Sequence, residues 1–341
     1  MALAAMLAMA LLTATAIGAR REAERQRAEV QGLIEFMLTD LRDKLEGVGR
    51  LDALDAVNTR ILEYYETQDP DRQPPESLQW RARMDLGMGE ILRLRGKLDE
   101  AEAVIQRARR TTAAQFAADP KDLDRVFAHG QSEQAIGIIA LQRDGVAEAR
   151  RAFESYRDLS KRLVAGEPGN AAYRREMGFA YGNLCSHALI EPARPTEALA
   201  DCQTALAWME RAVAASRNPD TYGLDLANRH AWLADAWREN EDNAKAREHR
   251  LAEETIVRRL MARDPENMKY RQQWVAVQRA LAALELADGR FDLARDRLEA
   301  AREGIEVMVA HEPANTVWAA RRRTILENLD LLEQMQRERL Q

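Results

Sequence analysis

Apolar residues recur along this chain at three- and four-residue intervals, and short polar breaks interrupt them at regular places. One set of breaks carries proline: TQDPD at Pro70, AADPK at Pro120, GEPGN at Pro168, RNPDT at Pro219, RDPEN at Pro265 and HEPAN at Pro313, with spacings of 50, 48, 51, 46 and 48 residues. Midway between them lies a second turn signal: GVGRLD at 47–52, LRGKLD at 94–99, QRDGVA at 142–147, EPARPT at 191–196, NEDNAK at 240–245 and ADGRFD at 287–292. Each unit therefore reads as two helices and two turns, and a period of this length marks a solenoid. The turns predict first helices at 22–47, 77–95, 122–143, 171–190, 220–240 and 268–288. Second helices follow at 51–67, 98–118, 146–166, 196–215, 243–263 and 291–311, and a last helix at 314–337 caps the array.

The packing positions keep the same register. A small or apolar residue recurs in the first helix at Gly89, Gly137, Cys185, Ala234 and Ala282, and its partner in the second helix at Ala53, Ala101, Ala149, Ala198, Ala246 and Ala294. The two stand 12 or 13 residues apart across the turn, face to face where antiparallel helices approach closely. Four residues after each alanine come Val57, Ile105, Phe153, Cys202, Arg250 and Leu298. Arg250 alone breaks this apolar row, which points either to a snorkelling side chain or to a register slip onto Leu251.

The segments GEILRLRGKLDEAEAVIQRA (89–108) and AALELADGRFDLARDRLEAA (282–301) show the arrangement of small residue, glycine turn, Ala-x-x-x-bulky and a further alanine. This resembles the tetratricopeptide repeat (TPR), with coverage from about residue 22 to 337. The resemblance implies an all-α fold, a right-handed α-solenoid of about six helical hairpins plus a capping helix. The departure is the period, about 48 residues here against ~34 in the TPR, so each helix gains roughly two turns.

Composition fits that architecture. Apolar residues make up 46% and charged residues 31%, while aromatics stand at 6%, a mixture that suits helices and excludes a β-sandwich or barrel. The net charge of −6 is spread evenly, with no basic stripe, so no nucleic-acid partner is expected. Lysine supplies only 6 of the 50 basic residues, a skew expected of a GC-rich, bacterial genome.

Residues 1–19, MALAAMLAMALLTATAIGA, carry no charge and end at Arg20 and Arg21. As a helix they span roughly 28 Å, close to the ~30 Å of a bilayer core. The preferred reading divides the chain into a transmembrane anchor or uncleaved signal at 1–19 and a solenoid at 20–341, placed as a single-pass protein of the bacterial inner membrane. A signal cleaved at Ala14-Thr15-Ala16 and a hydrophobic start to a soluble helix are the alternatives. Arg20, Arg21, Arg25 and Arg27 would hold the bulk of the chain in the cytoplasm if Met1 is the true start. An apolar helix running into AERQRAEVQGLIEFMLTDLRDKLEGVGRLDALDAV also resembles bacterial membrane-tethered signalling proteins, in which a kinase or cyclase precedes the helix. That resemblance would place the array outside the cytoplasm, as the sensory half of a truncated or split signalling enzyme. A periplasmic assembly protein released by signal cleavage is a further alternative.

No catalytic, cofactor or metal site is expected. His129, His187, His230, His249 and His311 are scattered through different units, none with a second histidine four residues away. Acid pairs such as Glu100/Glu102 and Glu253/Glu254 read as solvated helix faces, and the six tryptophans as gap fillers between long helices. Cys185 and Cys202 both occupy packing positions, which favours a buried thiol pair over a disulfide, and either over a metal site with His187. What remains is a binding surface. Carried over from the small packing positions, the inner wall of a TPR array corresponds here to Arg83, Glu90, Arg93, Gln134, Gln142, Phe179, Asn228, Asp235, Arg238 and Arg279. Their mixed charges suit a polar peptide or protein segment; no small-molecule substrate is expected.

Overall fold

The computed structural model describes residues 78–190 and 194–339, together with scattered positions between 13 and 63. After a short helix α1 (Arg42–Gly47), five hairpins follow: α2 (Leu78–Leu94) with α3 (Leu98–Ala118), α4 (Leu123–Gln142) with α5 (Val146–Gly166), α6 (Ala171–Ile190) with α7 (Pro195–Ala215), α8 (Gly223–Glu239) with α9 (Asn243–Arg263), and α10 (Met268–Ala287) with α11 (Phe291–His311). Helix α12 (Thr316–Arg339) closes the array. No strand occurs among the described residues. Each second helix packs on its own first helix and on the first helix of the next unit, which makes the fold an all-α solenoid.

The breaks act as the local chemistry requires. Asp122 and Asn267 accept backbone N–H bonds at the starts of α4 and α10, and Pro195 opens α7. Inside the hairpins the chain reverses through one left-handed residue: Gly96 (φ 74°), Asp144 (φ 58°), Glu241 (φ 63°) and Gly289 (φ 71°). Glycine fills two of these turns without strain, whereas Glu241 holds a conformation that L side chains disfavour.

Helix approach inside each hairpin follows the small residues. A Cβ on Gly89 would lie 2.3 Å from Ile105, and one on Gly137 2.3 Å from Phe153. Ala101, Ala149, Ala198, Ala246 and Ala294 are all fully buried opposite them. In the third hairpin the positions of Gly89 and Ile105 are taken by Cys185 and Cys202, and here the sequence preference for free thiols is overturned: the pair is a disulfide with Cα atoms 5.1 Å apart. Face-to-face placement across α6 and α7 puts the sulfurs within bonding reach.

Other expectations are also revised. Arg250 neither snorkels nor shifts the register, since it is buried while Leu251 is exposed. Its guanidinium donates to Asp235 at 2.7 Å and to Glu253 at 2.8 Å, so an ion network fills the apolar slot. Glu253, in that network, and Glu254, held by Gln278 and Arg297, are buried rather than solvated. His187 is buried too, its Nε2 2.8 Å from the Val146 carbonyl. Trp80, Trp232 and Trp237 pack against the cores, and Trp318 lies within the last one.

The expected first hairpin, 22–47 and 51–67, lies largely outside the described residues, as do residues 1–12 and 14 of the segment read as an anchor. Residues 13 and 15–22 are helical and continue through Arg20 and Arg21. Among the described residues no helix is long and apolar enough to cross a membrane. The single-pass inner-membrane placement is corrected on that finding: none of the described helices carries an apolar stretch of spanning length.

Two stability predictions follow from the hairpin geometry. Reduction of the disulfide, or Cys185→Ser with Cys202→Ser, removes the cross-link on a loop with a sequence separation of 17. The chain-entropy cost is about 3 kcal/mol, read as a lower denaturant midpoint; an unchanged midpoint would show that the bond contributes nothing. Glu241→Gly relieves the left-handed turn and raises the melting temperature, by roughly 1 kcal/mol of stability.

Candidate binding surface on the first-helix wall

First helices touch in two of the neighbouring hairpin pairs, α2 with α4 and α6 with α8, and the first helices together make one wall of the array. Two clefts open on that wall. One, of about 480 Å³, lies between α2 and α4, with Arg83, Leu86, Phe127 and Gln131 on its sides and Thr112 of α3 in its lining. The other, of about 350 Å³, lies between α8 and α10 with a floor from α9; Asp235, Arg238 and Arg250 supply its charges and Ala280, Ala283 and Ala287 its apolar side.

Between the clefts sits a group that the sequence only partly revealed. The Arg175 guanidinium of α6 stacks over Phe179 at 4.5 Å and Tyr222 at 5.3 Å, while its Nε donates to Asp225 at 2.7 Å. Beneath it, Glu176 accepts from the Tyr156 hydroxyl at 2.5 Å and from Gln131 Nε2 at 2.6 Å. Burial pushes the Glu176 carboxyl and the Tyr156 hydroxyl above their ordinary ranges, because both charged forms lose water.

Arg229 of α8 completes the group. It is buried, it donates to the Gly178 carbonyl at 3.3 Å and to Asn228 Oδ1 at 2.5 Å, and its Nε has no hydrogen-bond partner. Desolvation lowers this guanidinium to about 10. The cation fits only because α6 carries Gly182, where a Cβ would lie 1.4 Å from Arg229 Nη1. In the other hairpins the equivalent positions hold Met84, Ser132, Ala180 and Val277. An arginine at a core register position was thus the signal available in the sequence.

The remaining expected residues are distributed along the wall. Arg83 borders the first cleft. Glu90 and Arg93 form a two-bond pair, each bond 2.6 Å, and that pairing raises the Arg93 guanidinium. Gln134 is half-buried and Gln142 exposed. Phe179 and Asn228 belong to the central group, and Asp235 and Arg238 to the second cleft. Arg279 is half-buried with an unpartnered Nε, and its charge lowers Arg321 after burial has done so. The wall therefore offers donors and acceptors in three separated patches rather than one converging site.

No family model matches the chain, and no curated protein matches it. Solved structures do resemble it. TTC0263, a thermophilic TPR protein of Thermus thermophilus, is 18% identical over 72% of this chain and 98% of its own, with a TM-score of 0.40. Nro1, a hypoxic regulator of sterol synthesis described as a nuclear import adaptor, is 12% identical over 89% of this chain and 99% of its own, with a TM-score of 0.44. The MamA protein is 15% identical over 68% and 96%, with a TM-score of 0.36. At these values the likenesses carry no argument about partners.

The buried guanidinium of Arg229 makes a direct prediction. Arg229→Met places the residue found at Met84 into the same slot and removes a desolvated cation, so stability rises by about 1–3 kcal/mol. Gly182→Ala alone costs stability, because its Cβ meets the guanidinium. In the double variant that cost disappears, and a thermal-melt cycle measures the coupling; additive effects would show that the two side chains do not share the space.

Proposed function

We propose that this chain is a non-enzymatic protein-interaction module whose partner, an extended polar peptide or protein segment, lies along the first-helix wall. The observation that carries the reading is the Phe179–Arg175–Tyr222 stack between two clefts, a half-buried aromatic and cationic platform flanked by room for side chains. Stacked aromatic and guanidinium groups supply contact area at low entropic cost, and they recur where protein partners bind tightly. Arg83 at one cleft and Asp235 with Arg238 at the other give the wall both signs of charge, which suits a polar segment of mixed sequence.

Photo-cross-linking tests this even while the partner is unidentified. A photoreactive residue placed at Arg83, Phe179 or Arg238 is expected to yield a discrete adduct in extracts of the native host, while Arg151 and Glu210, exposed on second helices, yield none. Equal adducts at the second-helix positions would remove the wall as the binding surface. Once an adduct is identified, Phe179→Ala should weaken the isolated interaction by about 10-fold or more, the range of a buried aromatic anchor.

A further inference from the structure

Hairpin α8–α9 holds two histidines in contact. Nδ1 of His230 and Nδ1 of His249 stand 3.1 Å apart, with ring centroids 5.4 Å apart and planes inclined by 31°. The centroid separation exceeds the nitrogen separation by two ring radii, so the nitrogens lie on the line between ring centres and the hydrogen bond is straight. Such a bond holds one proton: one ring donates and the other accepts. A second proton at this contact sets N–H against N–H and places two charges in a half-buried seam.

The register shows what is unusual here. Four residues before the small anchor, every described hairpin carries a polar side chain: Asp85, Glu133, Tyr181, His230 and Gln278. Asp85 is held by Arg107 at 2.8 and 2.7 Å, and Glu133 by Arg109 at 2.6 Å. In the hairpin after the histidines, Gln278 and Arg297 occupy the same two positions and bond at 3.0 Å. Arginine supplies the partner in each of those contacts; the α8–α9 hairpin instead sets one imidazole against another.

Several charged groups on α8, α9 and the helices packed against them are held by partners of their own. On α8 and α9, Asp235, Arg250 and Glu253 hold one another. Glu285 of α10 holds Arg247 and Arg290, and Glu176 of α6 holds Tyr156 and Gln131. Asp201 of α7 lies among Glu197, Arg157 and Arg150, and Arg229 of α8 bonds Gly178 and Asn228. Burial lowers His249, and the Glu248 carboxylate opposes that shift by favouring the charged ring.

We propose that the His230–His249 pair is an acid-operated latch, whose protonation parts α8 from α9 and opens the second cleft of the wall. His230 lies one turn from Ala234 and His249 one turn from Ala246, both of which line that cleft, so separation at the rings reaches it directly. Burial, then His249, lowers His230 from 6.5 to about 4. A basic group depressed on folding leaves its stability intact above the unfolded value and forfeits it as pH falls toward the folded one. The latch is therefore closed above about pH 6.5 and opens as pH drops toward 4. It is a property of the free chain and stands whether or not the wall receives a partner.

Hydrogen exchange of the full chain at pH 7 and pH 4.5, read as protection factors, tests it. Amides of α8 and α9 are expected to lose protection by roughly 50- to 100-fold relative to those of α4 and α5. The variant H230Q/H249R recreates the pair of the next hairpin and should abolish that difference. Uniform loss across all hairpins, or the same local loss in the variant, overturns the latch. If the variant does not fold at pH 7, histidine-selective NMR of the unsubstituted chain decides instead: both rings should stay neutral until α8–α9 exchange accelerates. Independent titration near 6.5 with protection intact would refute the proposal.

Discussion

The structure depends on the close approach of two antiparallel helices inside each hairpin. Gly89 and Gly137 leave no room for a Cβ because Ile105 and Phe153 already fill it, and buried alanines face them from the second helix. That single contact fixes the separation of the pair. The separation in turn sets which residues are sealed in the seam and which are left on the wall. The cysteine hairpin meets the same constraint by a covalent route, since Cys185 and Cys202 take the positions held elsewhere by Gly89 with Ile105 and Gly137 with Phe153.

Long helices bring a second consequence. A seam roughly two turns longer than that of a common repeat cannot be filled by small residues alone, and this chain seals polar groups within it: Asp85 with Arg107, Glu133 with Arg109, Arg250 with Glu253, and Gln278 with Glu254 and Arg297. Each is satisfied by a partner on another helix or one turn away. Buried pairs of this kind add little net stability, yet breaking one strands a charge, so they penalise any register other than the native one. Stacking of hairpins thus gains specificity from polar contacts and cohesion from apolar ones.

The inner wall inherits its form from the same register. Rows at fixed offsets from the small anchor place Arg83, Phe179 and Asn228 along one side and Glu90 and Asp235 further along each helix. Where a row carries a large side chain, the wall is raised; where it carries alanine, as at Ala280, Ala283 and Ala287, a cleft results. Arg229 shows how one hairpin shapes another, because its guanidinium occupies space that Gly182 of the preceding hairpin leaves empty.

The repeat, the helix boundaries and the small anchors were legible in the chain, because periodicity and turn chemistry are local properties. Helices α2 to α12 begin and end within a few residues of the breaks that announced them. The offsets from the small anchor that line residues up along a first helix follow from the same periodicity. What only the tertiary structure decided is pairing. Nothing in sequence says that Arg250 exchanges an apolar slot for Asp235 and Glu253, that Glu253 and Glu254 turn inward, or that His230 meets His249. These contacts join residues on different helices, and each depends on the rotation of one helix against its neighbour, a quantity set by packing of the whole seam rather than by any short stretch of chain.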